Sequence, residues 1–136
     1  LLGDETFFAG VRDYYERHLH TAVLTEDFQA AMEGVSGRDL GWFFDQWIYQ
    51  PGYPILEVTQ QWNDSEGVLE VRVEQVQKTA WPRVRTPGVL HASRGDDYWG
   101  MRVELDGTNN VFRLRTNGPV DSVVVDPDGW LLKGRR

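Results

Sequence analysis

Apolar residues recur every three or four positions as far as Pro51-Gly52-Tyr53-Pro54, and every second position beyond it. One kind of regular structure cannot serve both periods. A helix aligns residues three and four apart, whereas a strand sends alternate side chains to opposite faces. The chain is therefore expected to be α+β by segments. About three helices occupy residues 1–50, and an all-β antiparallel, immunoglobulin-like sandwich occupies 51–136, with the boundary across Pro51 to Pro54.

Asp4 is expected to cap a first helix starting near Glu5, along which Phe8, Val11 and Tyr15 form a stripe. Thr25 is the expected cap of a second, with Glu26 and Asp27 in its first turn and Phe28, Ala31, Met32 and Val35 on its apolar face. Ser36 through Asp39 reads as a capping box, with Asp in the usual place of Glu or Gln, for a third helix. That helix carries Leu40, Phe43, Phe44, Trp47 and Ile48 at helical spacing and stops before Pro51-Gly52. Phe43, Phe44 and Trp47 are core residues on this reading. Pro51, Gly52 and Pro54 form a rigid joint, and Trp47 anchors the helical part.

Beyond the joint, Leu56, Val58 and Trp62 alternate with polar residues, as do Leu69, Val71 and Val73, then Trp99, Met101, Val103 and Leu105, then Phe112 and Leu114. Turn residues separate these runs at Asn63–Gly67, Asp106-Gly107 and Asn117-Gly118-Pro119, and Val89–Ala92 and Val123–Val125 read as short strands. Asp126-Pro127-Asp128-Gly129 turns the chain into Trp130-Leu131-Leu132.

Candidates for chemistry are few. His18 and His20 lie two apart, which on a helix turns them roughly 160° from each other, so they read as helix-end residues. His91 reads as a sheet residue, and no H-E-x-x-H occurs. There is no cysteine and no G-x-S-x-G; Ser93, His91 and Asp96 are merely neighbours in sequence. Asp96-Asp97 and the Asp126–Gly129 run could offer oxygen ligands to calcium, but the EF-hand spacing is missing and turn chemistry accounts for both. Arg83, Arg85, Arg113 and Arg115 read as the solvent face of a sheet. The net charge of −7 opposes a phosphate backbone, and no apolar run is long enough to span a bilayer. The expectation is no catalytic residue, no metal ligand and no cofactor in this chain, with no nucleic-acid partner. Leu1 in place of Met reads as a cut or processing boundary, and the lack of cysteine leaves the compartment open.

Leu2-Gly3-Asp4-Glu5-Thr6-Phe7-Phe8 with Tyr14-Tyr15 and Arg17-His18 is similar to a helix near the end of the catalytic domain of the aminopeptidase N-like zinc metallopeptidases, the gluzincins. Thr25-Glu26-Asp27-Phe28 is similar to the next helix. Ser36-Gly37-Arg38-Asp39-Leu40, Phe43-Phe44-Asp45-Gln46-Trp47 and Pro51-Gly52-Tyr53-Pro54 resemble the signature that ends that domain. Val123 to Leu132 resembles the last strand of the following β-domain in bacterial members.

The resemblance implies a larger parent that removes N-terminal residues from peptides with zinc held by H-E-x-x-H and a later Glu. None of those motifs is here. Tyr14 and Tyr15 do not correspond to the family's oxyanion-stabilising Tyr, which precedes the position of Leu1. The chain is then inactive alone, and its partners are the parent's other catalytic domains. The apolar faces of its helices would be left for self-association. An independent sandwich binding peptide or carbohydrate is the alternative, and exposure of Trp62, Trp81, Trp99 or Tyr98 on one sheet face would favour it. A scaffolding relative without activity is a third reading.

Overall fold

The first helix begins at Asp4 rather than one residue later, because Gly3, with a positive φ of 79°, takes the N-cap position expected of Asp4. A computed structural model describes residues 1–135. They form two units, Leu1–Pro51 and a second starting at Gly52, each with its own buried cluster.

In the first unit, α1 spans Asp4–Arg17 and α2 spans Thr25–Ser36. Asp4 and Glu5 at the start of α1 and Arg17 at its end complement the helix dipole. Thr25 is the first helical residue of α2, not its cap. Leu24 takes that place, and its N–H donates to the Asp27 carboxylate at 2.8 Å while its carbonyl accepts from the Asp27 N–H. The two helices approach closely where Gly10 meets Met32: a β-carbon on Gly10 would lie 2.5 Å from the Met32 sulfur. Met32, Leu40 and Phe44 form the buried cluster, with Leu2, Val11, Phe28 and Phe43 packed against it.

The capping box expected at Ser36–Asp39 does not form. Ser36 still belongs to α2, and Gly37 ends that helix in the left-handed region. Asp39 Oδ1 accepts from the Gly41 N–H at 2.8 Å, and Glu33 reaches across from α2 to accept from the Leu40 N–H at 2.8 Å. The third helix, α3, is accordingly short, Gly41–Phe44, and it continues as a wider π-helical turn over Asp45–Tyr49. In that turn Gln50 donates its N–H to Asp45 five residues back, and the Tyr49 hydroxyl donates to Glu26 at 2.9 Å.

The described residues of the second unit form a sandwich of seven strands: β1 Ile55–Asn63, β2 Val68–Gln75, β3 Thr86–Arg94, β4 Asp97–Leu105, β5 Asn109–Leu114, β6 Ser122–Val125 and β7 Gly134–Arg135. One sheet has the order β5-β2-β1-β7 and the other β4-β3-β6. Every pairing is antiparallel except β1 with β7, where Ile55 faces Gly134 and Leu56 faces Arg135. The Trp130–Leu132 run is irregular, with a bend at Leu131, rather than the continuation of a strand. Leu56, Leu69, Val71, Val73, Leu90, Leu105 and Val125 meet between the sheets, the alternate positions the period of two puts on one face.

Candidate functional site

The histidines do not converge. His18 caps the end of α1 and lies against Tyr14, and His20 sits in the left-handed region of the following turn. His91, on β3, packs edge-on against Tyr98 of β4 with ring centroids 4.6 Å apart, and the Tyr98 hydroxyl hydrogen-bonds the imidazole. The Ser93 hydroxyl is paired with Ser122 at 2.9 Å, not with His91. Among the described residues no three His, Cys, Asp or Glu side chains are grouped to hold a metal ion. The zinc that the family resemblance implies for a parent therefore finds no fitting donor set in these residues, and no chemical step is derived through it.

The tryptophans do not line up as a platform. Trp62 on β1 and Trp99 on β4 are half-buried against the sandwich core, in different sheets. Trp81 is half-buried between Tyr53, at 5.1 Å, and the Lys78 ammonium, and it lies over Gly52. Gly52 has φ +100, and a β-carbon there would come within 2.5 Å of the indole, so only glycine fits. Of the four aromatic residues expected to mark a binding face, Tyr98 alone is exposed. A hollow of about 340 Å³ beside Trp62 is lined by Gln61, Asn63, Asp64 and Glu70; it is polar, and the indole N–H donates to Asp64 at 3.2 Å.

Among the residues singled out in the helical part, Phe44 is buried, while Phe43 and Trp47 are half-buried with their rings 6.4 Å apart. Pro54 is fully buried, whereas Pro51 and Gly52 are exposed. The helical unit leaves Leu1, Phe7, Phe8, Tyr15, Leu19, Leu24, Ile48 and Tyr49 exposed, with Phe8 at 54% and Tyr15 at 65%. Such a concentration of aromatic and aliphatic surface is unusual on a protein that faces only water.

The reading of the sequence missed one polar cluster, and missed the partner of a carboxylate in a second. Gln75 and Gln77, at the end of β2 and just beyond, are buried at 1% and 3% exposure. Gln75 Nε2 donates to the carbonyls of Val84, 2.7 Å, and Gly107, 2.8 Å, while its Oε1 accepts from the Val84 N–H at 2.8 Å and from Gln77. Gln77 in turn donates to the Pro82 carbonyl and accepts from the Ile55 N–H. Their signal was in the alternation itself, which runs Leu69, Val71, Val73 and then on to two amides in the same register.

The second cluster is at Asp126. Its carboxylate accepts from the N–H groups of Trp130, 2.9 Å, and Leu131, 3.0 Å, and pairs with Lys133. This turn is therefore not a vacant set of cation ligands: an ammonium already occupies its charge. Burial pushes the Asp126 carboxyl up, but the hydrogen bonds from Lys133, Leu131 and Trp130, with the charge of Lys133, outweigh it and hold the group below the ordinary value.

No protein-family model matches the chain. It is 33% identical over 127 residues to aminopeptidase N of Escherichia coli (strain K12), across 91% of this chain and 13% of that one. The fold of aminopeptidase A of Legionella pneumophila, solved in complex with aspartic acid, superposes with a TM-score of 0.79 at 18% identity, covering 99% of this chain and 16% of that one. This is an aminopeptidase N-like chain. A shorter match, 38% over 58 residues, joins 43% of the chain to 4% of transcription initiation factor TFIID subunit 2 of Saccharomyces cerevisiae. The chain thus spans a small fraction of the length of these relatives.

Proposed function

We propose that this aminopeptidase N-like chain is the non-catalytic C-terminal portion of a zinc-dependent aminopeptidase that removes N-terminal residues from peptides. Its helices are the end of the catalytic domain, and its sandwich is the structural module that follows. The observation that carries this reading is the exposed apolar surface of α1, of the link that follows it and of the π turn, which needs a protein partner rather than water. In the larger protein that partner is the remainder of the catalytic domain, which also supplies the zinc ligands and the peptide site.

The isolated chain is the material for the test. It should turn over no aminoacyl chromogenic substrate, with or without added zinc, and should self-associate in sedimentation velocity while binding an apolar dye. A monomer at high concentration without dye binding would mean that the helical unit is self-sufficient, and the packing role would fall.

The match to a transcription factor subunit favours a second reading, a scaffolding relative that keeps the architecture without the activity. Zinc content and peptide turnover of the full-length protein separate the two.

A further inference from the structure

The turn after β6 is held by more than turn chemistry. Asp126 itself has φ +52, a region that non-glycine residues enter at a cost. Its N–H donates to the Val89 carbonyl on β3, and its carbonyl accepts from Gly129 N–H and from Lys133 Nζ at 3.1 Å. Its carboxylate gathers Trp130, Leu131 and Lys133 from the far end of the turn. Both charged side chains are almost wholly buried, Lys133 at 7% and Asp126 at 6% exposure. Leu131 packs against the sandwich core. Immediately afterwards Gly134 donates its N–H to the Pro54 carbonyl at 2.9 Å, and β7 pairs with the first residues of β1. Between these fixed points Trp130 stands 88% exposed.

We propose that the buried Asp126–Lys133 pair is a lock on the strap from Asp126 to Gly134, holding β7 on the edge of β1 and keeping Trp130 out in solvent. β7 has only two residues, too few to hold a sheet edge by their own hydrogen bonds. Lys133 is adjacent to β7, so removing its charge partner leaves an unpaired buried ammonium, which is relieved by lifting the strap. Lifting it takes Gly134 from Pro54 and uncovers the start of β1 as an open edge. Because the pair is shielded from solvent, added salt should leave the lock closed, unlike the exposed pairs Arg85–Glu104 and Arg113–Glu66.

Hydrogen exchange and chymotryptic cleavage at Trp130 and Leu132 read the strap directly. In the wild type both should stay slow up to about 1 M salt. Asp126→Asn and Lys133→Met should each speed exchange at the Leu131 and Gly134 amides by about 100-fold. Val71 and Val73 on β2 should keep their protection. If both variants leave the strap as protected as wild type, the pair is no lock. If strap and β2 lose protection together, in either variant, the pair belongs to the global core and the local lock is refuted.

Discussion

Replacing Gln75 by Leu separates two effects that the fold combines. Leucine is apolar and of similar size, so it should fill the same space between the sheets and add apolar burial. It cannot, however, serve the backbone of Val84, whose N–H and carbonyl both depend on the Gln75 amide inside a buried residue. The Gly107 carbonyl loses a donor as well, and Gln77 Nε2 keeps only the Pro82 carbonyl. Each buried group left unpaired costs about 1–3 kcal/mol, and better apolar burial offsets part of that. A net loss of roughly 2–4 kcal/mol is expected, a large share of the 5–15 kcal/mol or so that holds a domain folded. With a urea dependence of about 1–3 kcal/mol per molar, the midpoint should fall by roughly 1–2 M. Because the chain has two units, unfolding is best followed by pulsed hydrogen exchange on β2 peptides, with α2 peptides as an internal reference. Gln61→Leu, the same chemical change at an exposed position of β1, should stay within about 0.5 kcal/mol of wild type. If Gln75→Leu is neutral or stabilising, apolar packing outweighs the amide network and the reasoning fails.

Gly10→Val should destabilise the helical unit by about 1–3 kcal/mol, because its side chain meets Met32 where α1 and α2 touch; a melting curve matching wild type would show that the helices part at no cost. Phe44→Ala should cost about 3–5 kcal/mol, and Trp47→Ala, at a half-buried site, clearly less; equal shifts in helical melting would give Trp47 the stronger anchoring role. Asp126 has a depressed folded pKa, so its contribution is complete above the unfolded carboxylate value and is lost as pH falls through the folded one. An acid titration of wild type against Asp126→Asn should therefore show the difference in sandwich stability shrinking only in that acid window; a difference that shrinks near neutrality would point to another group.

The two periods of the sequence were enough for three helices followed by antiparallel strands, because periodicity reports which face of an element is buried, and burial supplies most of the energy. The family could be read from runs such as Ser36–Leu40 and Phe43–Trp47. The ends of elements were less legible. Asp4, Thr25 and the Ser36–Asp39 run all carry capping chemistry, yet the caps went to Gly3, to Leu24 with Asp27, and to a combination of Asp39 with Glu33, since a helix terminus takes whichever partner the folded backbone brings within reach. Likewise, nothing local distinguishes Lys133 from a solvated lysine or Gln75 from a surface amide. Their partners, Asp126 seven residues away and Val84 and Gly107 in separate loops, become neighbours only in the folded chain. Along the chain, alternation determined which side chains turn inward; the three-dimensional fold decided which polar groups could follow them, because a buried amide or charge persists only where its hydrogen bonds are met from elsewhere in the structure.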